Sequence, residues 1–416
     1  MIKLGIMFSG QGSQYTGMGR SLANTSAIAR RIFDQASDIL GYDLNAMMDQ
    51  TESDRLEQTE YAQPAIFVYS YAWYQTLAEE FYLTPSCGAG HSLGEFTALA
   101  CAGILSFDEA LRLIQKRGIS MQHATESGFG RMAAIKGVHV SVIEEVCARL
   151  SDHGQLVQIS NYNSDDQIVI SGESQQVQHA IGLLAKLGGT AYPLHVSAPF
   201  HTPYMNSANV EFAEALQHVN FANGSWPVIS NVDAQPYRDK EHVRAGLESH
   251  MLRPVRWSES IAWMLRQGVN VLVELGPRSA LRNTVRQAYP HIRTFSIDHD
   301  YDEILEILRV LQHQSRPTVT AACLSMAQLI PNRNSSMDEY TSGVIHPCQQ
   351  LMSRNLHMQH EGRPETEEER REALQLLRGI LRTKRATAEE AWDCYIQISD
   401  QTGLPLSAVM QENAVV

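Results

Sequence analysis

The sequence predicts an α/β fold: a parallel sheet covered by helices, a smaller subdomain inserted into it, and a helical C-terminal extension. Three observations carry this. Short apolar runs alternate with amphipathic stretches up to about residue 312, as strands and crossover helices do in a sheet covered on both faces. Between residues 128 and 197 the order becomes β-α-β-β-α-β, that of the ferredoxin-like split unit. Gly90-His91-Ser92-Leu93-Gly94 fits G-x-S-x-G, in which a strand turns sharply into a helix and lifts a serine hydroxyl clear of its neighbours.

The elements follow in order. Leu4–Phe8 reads as a first buried strand; Gln11 and Gln14 follow at once with no small-residue cleavage site, which speaks against a signal peptide. Ser9–Gln14 is a glycine-broken loop. Helices are predicted over 25–40 and 63–81, the second begun at Pro64. Leu83–Cys87 supplies the strand before the elbow, although it holds Pro85 and few large apolar residues. Glu95–Ala102 is a helix stopped by Gly103, and Phe107–Ala124 is amphipathic, with Leu111, Ile114 and Met121 on one side.

Within the insert, Arg131–Ile135 is a strand and Ser141–Leu150 a helix capped by Ser141. A hairpin over 156–172 turns at Asn163-Ser164-Asp165, and helix Ser174–Leu187 leads into strand Ala191–Val196. The main sheet resumes with strands Pro227–Asn231 and Val269–Leu275 around helix Ser258–Gln267. Gln314–Pro364 mixes Ser, Asn, Pro and Gln with little period, so 313–364 is expected to be a linker or loosely ordered segment. Residues 365–416 form a helical extension with a narrow stripe of Leu374, Leu377, Ile380 and Leu381. The core is therefore expected over 1–127 and 198–312, with the subdomain at 128–197.

Composition bounds the class. The chain has 416 residues, 44% of them hydrophobic, and a formal net charge of −13. No apolar run approaches the roughly 18 residues of a membrane helix, and the acidic balance disfavours nucleic acid as a partner. Six scattered cysteines form no metal-type pairs and suit a reducing cytoplasm. The expectation is a soluble cytoplasmic enzyme without a membrane or nucleic-acid partner.

A serine at an elbow needs a base and donors for the developing oxyanion. Among sixteen histidines, His91 adjoins Ser92 and should serve the turn instead. His201, in a loop leaving the insert's last strand, is a better candidate, although a lone loop histidine is more often a surface residue. The amide of Leu93 follows the serine, and the glycine loop at Gln11 brings a second amide close. On pattern alone an ordinary Gly/Ser turn stays open beside a nucleophile.

Over about residues 1–310 the chain resembles the malonyl-CoA:acyl carrier protein transacylase family. The resemblance rests on Phe8-Ser9-Gly10-Gln11-Gly12-Ser13-Gln14, the elbow extended to Glu95, Gln115-Lys116-Arg117-Gly118, Asn161-Tyr162-Asn163-Ser164, Pro199-Phe200-His201, Ile229-Ser230-Asn231-Val232, Pro254-Val255-Arg256-Trp257 and Glu274-Leu275-Gly276-Pro277. It implies an α/β-hydrolase-like core with a ferredoxin-like insert. It further implies that Ser92 is the nucleophile, His201 the general base, Arg117 the clamp for a malonyl carboxylate, and the amides of Gln11 and Leu93 the oxyanion hole. Phe200 and Leu93 go with malonyl over methylmalonyl, and Asn161, Asn231 and His250 are implied to line the site.

One position departs from the pattern: His250 stands where the family usually has Gln. That change is harmless if the orienting contact is the backbone carbonyl. The implied reaction moves malonyl from malonyl-CoA to the phosphopantetheine thiol of acyl carrier protein, or of a polyketide synthase carrier domain, with no metal or redox cofactor. The C-terminal extension and His250 lean towards polyketide synthesis over the fatty-acid pathway. An acyl hydrolase of the same fold and an inactive carrier-binding scaffold are the alternatives. Arg278, Arg282 and Arg286, at helical spacing, are a candidate basic patch for an acidic carrier, or simply an exposed helix face.

Overall fold

The computed structural model describes residues 2–49, 54–125, 129–151, 155–194, 196, 198–315, 317–361 and 363–410. The chain divides into two compact units, Met1–Leu308 and Arg309–Val416.

In the first unit, β7 (Val228–Ile229), β2 (Cys87–Gly90), β1 (Leu4–Phe8), β8 (Val271–Leu275) and β9 (Arg293–Ser296) lie side by side in that order, all paired in parallel. A parallel strand buried on both faces reads as a continuous apolar run, and β1, buried at every residue, is the central one. Successive side chains point to opposite faces. On one face Met7, Ala89 and Leu272 pack with Trp257 and Ile261 of α11 (Trp257–Arg266) and Val285 of α12 (Ala280–Ala288). On the other, Phe8 meets Tyr74 of α4 (Thr59–Phe81) with ring centroids 6.3 Å apart.

Outside the insert, the α-helices around this sheet also include α1 (Arg20–Thr25), α2 (Ala27–Leu40), α3 (Leu44–Asp49), α5 (Leu93–Cys101), α6 (Phe107–Thr125), α9 (Asn206–Leu216) and α10 (Lys240–Ser249). α13 (Tyr301–Ser315) crosses the division between the units, which therefore falls earlier than the expected edge at residue 312.

Three elements differ from expectation. The helix predicted over 25–40 begins at Ala27; Ser26 separates it from α1 (Arg20–Thr25), and its hydroxyl caps α2 by accepting from Ala29 N. α4 begins at Thr59, with Pro64 inside it. There the ring removes only the bond to the Glu60 carbonyl, while Ala62, Ile66, Phe67 and Val68 around it are buried. The strand before the elbow is Cys87–Gly90, not Leu83–Cys87. Close approach selects it: a Cβ on Gly88 would stand 2.6 Å from the Trp226 ring, and one on Gly90 1.8 Å from the Gly94 carbonyl carbon.

The insert runs β3 (Gly130–Lys136), α7 (Val140–Leu150), β4 (Val157–Ser164), β5 (Gln167–Glu173), α8 (Ser174–Lys186) and β6 (Thr190–Pro193). Its four strands form an antiparallel sheet in the order β4-β5-β3-β6, with a core of its own that includes Ile135, Ile143, Ile170, Val177 and Leu184. α7 is capped by the imidazole of His139, which accepts from Ser141 N, so Ser141 lies inside the helix. β6 stops at Pro193. The expected subdomain edges at 127–128 and Ser197 lie outside the described residues, as does His195 of the predicted strand. A parallel bridge between Asn161 and Val255 joins β4 to the core and brings residues 253–256 beside it.

In the second unit the expected linker is corrected. α14 (Val319–Leu329), α15 (Met337–Tyr340), a π-helical turn over Thr341–Ile345 and α16 (His346–Glu361) fill it; Arg316 and Gly362 lie outside the described residues. The helices hold because both ends of α14 are satisfied from far along the chain. Glu365 accepts from Val319 N and Thr320 N at 2.8 Å each, and Lys384 Nζ donates to the Ala327 and Ile330 carbonyls at 2.7 Å each. These are the orphan amides and carbonyls that every helix leaves, met by charges that suit its dipole.

α17 (Glu367–Thr383) and α18 (Ala388–Thr402) open with capping boxes, Thr366 with Glu369 and Thr387 with Glu390. α19 (Leu406–Met410) follows; the rest of the expected extension, 411–416, lies outside the described residues. The stripe Leu374, Leu377, Ile380 and Leu381 is buried with Val319, Cys323, Leu351 and Ile398. All six cysteines are free thiols. Among the described residues no helix is long and apolar enough to cross a membrane.

Candidate active site

Because β1 and β2 are neighbours, the loop after Phe8 and the turn after Gly90 leave the same sheet edge side by side. His91 N donates to Phe8 O at 3.0 Å. Glycines make the approach possible: a Cβ on Gly10 would lie 2.5 Å from His91 O, and one on Gly94 2.1 Å from Phe8 O. Gln11 is thereby set beside the elbow. Ser92 occupies φ 51, ψ −107, a sparsely populated conformation for a side-chain-bearing residue, held by the structure around it. Leu93 N is among the first amides of α5, which lack intrahelical partners.

The elbow serine, the loop histidine and the helix arginine meet. Ser92 Oγ is 2.8 Å from His201 Nε2 and 3.1 Å from Arg117 Nη2, which donates to it. His201 Nδ1 faces two acceptors, the carbonyls of His250 at 3.0 Å and Arg253 at 3.1 Å. A carbonyl cannot donate, so the proton sits on Nδ1 and the Nε2 lone pair faces the serine hydroxyl. Burial first, then the charges of His250 and Arg117, holds His201 well below the ordinary histidine range. It is thus a neutral base at neutral pH.

Arg117 is 1% exposed. Nη1 donates to Gln63 Oε1 at 2.7 Å, and Nε is buried without a hydrogen-bond partner among the described residues. Burial lowers its pKa to about 10, partly offset by Glu95. Glu95 is itself fully buried, which raises its pKa to about 8, so at neutral pH the carboxyl keeps its proton and leaves the guanidinium beside neutral groups.

A supporting layer fixes these groups. Asn231 Oδ1 accepts from Ser92 N at 2.8 Å while its Nδ2 donates to Gly90 O at 2.7 Å, which clamps the elbow backbone. Glu95 accepts from Asn231 N at 3.2 Å and from the Tyr237 hydroxyl. Gln158 Nε2 donates to His201 O at 3.0 Å. Gln63, Gln158 and Tyr237 were not singled out from sequence; the signal for Gln63 was its place just before Pro64 in an aromatic-rich helix. Gly118 explains why Arg117 reaches it: a Cβ there would stand 3.0 Å from Glu60 Cα, so α6 lies close on the start of α4.

The other expected residues divide. His250 acts through its backbone carbonyl, which holds His201, while its buried side chain stands 3.0 Å from Glu95 Oε2, out of line for a hydrogen bond. Phe200 is buried immediately before His201. His91 serves the turn, its Nε2 lying 2.9 Å from Asn163 Oδ1. Asn161 accepts from Ser160 Oγ at 2.7 Å and bridges to Val255, and Asn163 is the asparagine linked to the elbow. The arginine patch is largely occupied, with Arg282 and Arg286 3.0 and 3.7 Å from Asp300.

This arrangement can supply a nucleophile, a neutral base, backbone donors and a buried cation whose planar fork matches a carboxylate. The chain matches the family model described as "Acyl transferase domain" over residues 6–312. It is 40% identical over 302 residues to a malonyl CoA-acyl carrier protein transacylase of Bacillus subtilis, covering 73% of this chain and 76% of that one. The solved malonyl CoA-acyl carrier protein transacylase of Coxiella burnetii superposes with a TM-score of 0.72 at 36% identity, over 75% of this chain and 98% of the other. A malonyl-transacylase in complex with its type II PKS acyl-carrier protein gives a TM-score of 0.68 at 36% identity, over 71% of this chain and 94% of that one. With its elbow serine, loop histidine and buried arginine brought together, the chain belongs to the acyl transferase domain family.

Proposed function

We propose that this chain transfers malonyl from malonyl-CoA to the phosphopantetheine thiol of an acyl carrier protein, through an ester on Ser92. Ser92 Oγ attacks the thioester carbonyl while His201 Nε2 takes its proton. The tetrahedral oxyanion is met by the amides of Gln11 and Leu93. Collapse expels the CoA thiolate, which takes the proton from His201. The carrier thiol then gives its proton to His201, attacks the seryl ester, and releases Ser92 reprotonated. No resident metal or redox cofactor enters this sequence.

The observation that carries the reading is Arg117, buried and 3.1 Å from the nucleophile. A buried, partly satisfied cation there is stabilised by the free carboxylate of a malonyl group, and a hydrolase of monoacyl chains would gain nothing from it. Phe200 beside the base supports malonyl over methylmalonyl. The finer reading of the fold, an α/β-hydrolase-like core with a ferredoxin-like insert, is supported by the parallel sheet with its elbow and by the β-α-β-β-α-β order. Free cysteines suit a cytoplasmic setting, and the pathway is fatty-acid or polyketide synthesis.

Intact-mass measurement after mixing with malonyl-, methylmalonyl- and acetyl-CoA tests it. A malonyl adduct, absent in Ser92→Ala and discharged by carrier protein, is expected. Adducts from acetyl-CoA alone would sink the malonyl assignment.

A further inference from the structure

We propose that Gln63 is the positioning residue that ties the carboxylate clamp to the oxyanion loop, and thereby sets the preference for a carboxylated acyl group. The inference rests on the roles proposed above for Ser92, Arg117 and Gln11.

Gln63 is fully buried. Its Oε1 accepts from Arg117 Nη1 at 2.7 Å, and its Nε2 donates to Gln11 Oε1 at 3.2 Å and to Met121 Sδ at 3.4 Å. Gln11 Nε2 donates onward to Thr59 Oγ1 at 3.0 Å, and Thr59 N donates to Gln122 Oε1 at 2.8 Å. One side chain thus bridges α6, which carries the clamp, and the loop after β1, which carries the oxyanion amide.

The direction of this chain is not free. An arginine can only donate, so the Gln63 oxygen must face Arg117 and its amide nitrogen must face Gln11. That in turn makes Gln11 present its oxygen to Gln63 and its nitrogen to Thr59. The cation fixes the orientation of both glutamines, and with them the loop that holds the Gln11 backbone.

A functional consequence follows. A carboxylate on Arg117 pulls on the same guanidinium that Gln63 holds, and the Gln63 amide carries that constraint to the Gln11 loop. Clamp and oxyanion donor are therefore set together when a malonyl group is bound. An acetyl group offers nothing to the clamp and gains nothing from the coupling. Gln63 acts through Arg117 and Gln11 and touches no reacting atom.

The test compares Ser92 acylation by malonyl-CoA and acetyl-CoA in the full chain, in Gln63→Met and in Gln63→Glu. Gln63→Met keeps length and loses the hydrogen bonds to Arg117 and Gln11. A misplacement on the order of 1 Å in a reacting site typically lowers rate by about a hundredfold, so the malonyl-to-acetyl ratio of kcat/KM should fall at least about tenfold. Gln63→Glu keeps the shape and the acceptor towards Arg117 but reverses the partner offered to Gln11 and adds a competing anion. There the malonyl KM should rise as well as kcat fall.

Thermal midpoints of all three proteins identify a purely structural loss. Unchanged ratios in both variants overturn the inference, as does a fall of both acyl rates in equal proportion. A wild-type protein that never loads malonyl would instead remove the underlying function. If malonyl preference is lost in Arg117→Ala but survives in the Gln63 variants, only the coupling falls.

Discussion

Arg117 in the first unit and Lys384 in the second are both nearly out of water, at 1% and 5% exposure, yet they are treated in opposite ways. Lys384 lies at the C-terminal end of α14 and gives two donors to the carbonyls of Ala327 and Ile330, where the helix dipole favours a cation. Arg117 gives hydrogen bonds to two neutral groups, Gln63 and Ser92, and keeps Nε buried without a partner among the described residues. A buried charge with its partners in place is a structural tie. One left partly unsatisfied beside the proposed nucleophile fits the proposed role of a binding site held ready, at some expense of stability.

The largest test replaces each cation with methionine. In Arg117→Met two charge-assisted hydrogen bonds to the substrate carboxylate are lost, at about 1.5–3 kcal/mol each. With tenfold per about 1.4 kcal/mol, malonyl loading of Ser92 should fall roughly a hundredfold or more, with acetyl loading kept or improved. Its melting midpoint should hold or rise, because replacing a partly satisfied buried ion with an apolar side chain is often neutral or stabilising by about 1–4 kcal/mol. Lys384→Met should move the other way. Stranding two carbonyls at the end of α14 destabilises the second unit by about 2–3 kcal/mol, seen as a lower urea midpoint. Equal destabilisation by the two changes would break the comparison.

A smaller effect comes from pH. Burial raises the Glu95 carboxyl to about 8, so its proton is kept at neutral pH and lost as pH climbs through that value. Ionised Glu95 then competes with substrate for the field of Arg117, and the malonyl-to-acetyl loading ratio should drop several-fold above about pH 8 (an opposite charge nearby is worth about a pK unit or more). Glu95→Gln should make the ratio flat with pH. His201 lies well below its ordinary range, so the acid limb of kcat/KM, where the base becomes protonated and inactive, should fall below pH 6.5. A selectivity that ignores pH from 7 to 9 in the unaltered chain would remove Glu95 from the account.

The same contrast explains what the sequence made legible. Ser92, His201 and Arg117 sit in short motifs whose chemistry is local, and the glycines around the elbow mark where backbones must touch. Lys384, Glu365 and Gln63 act on partners 45 or more positions away, and no period in the chain announces such a contact. α14 was therefore lost among the polar residues that flank it. β2 was misplaced because Cys87–Gly90 is strand by enforced close packing, with no strand-forming side chains of its own. Asn163 was passed over within its motif because its link to His91 lies where β4 shifts register against β5, between Tyr162 and Ser164.

The finest test concerns the other end of α14. Glu365 accepts from Val319 N, Thr320 N and the Thr320 hydroxyl, so it supplies both hydrogen bonds and a charge at the positive end of the helix. Glu365→Gln retains one acceptor oxygen and removes the charge. Dipole complementarity is worth about 0.3–1 kcal/mol at an ordinary helix end and up to about 2 where partly buried, so the urea midpoint should move by about 1 kcal/mol, less than for Lys384→Met. Glu365→Ala, which strands the amides as well, should approach the lysine variant in size. If the glutamine change is as damaging as the alanine change, charge governs the α14 ends more than hydrogen-bond satisfaction does, and the partners of Lys384 matter less than its sign.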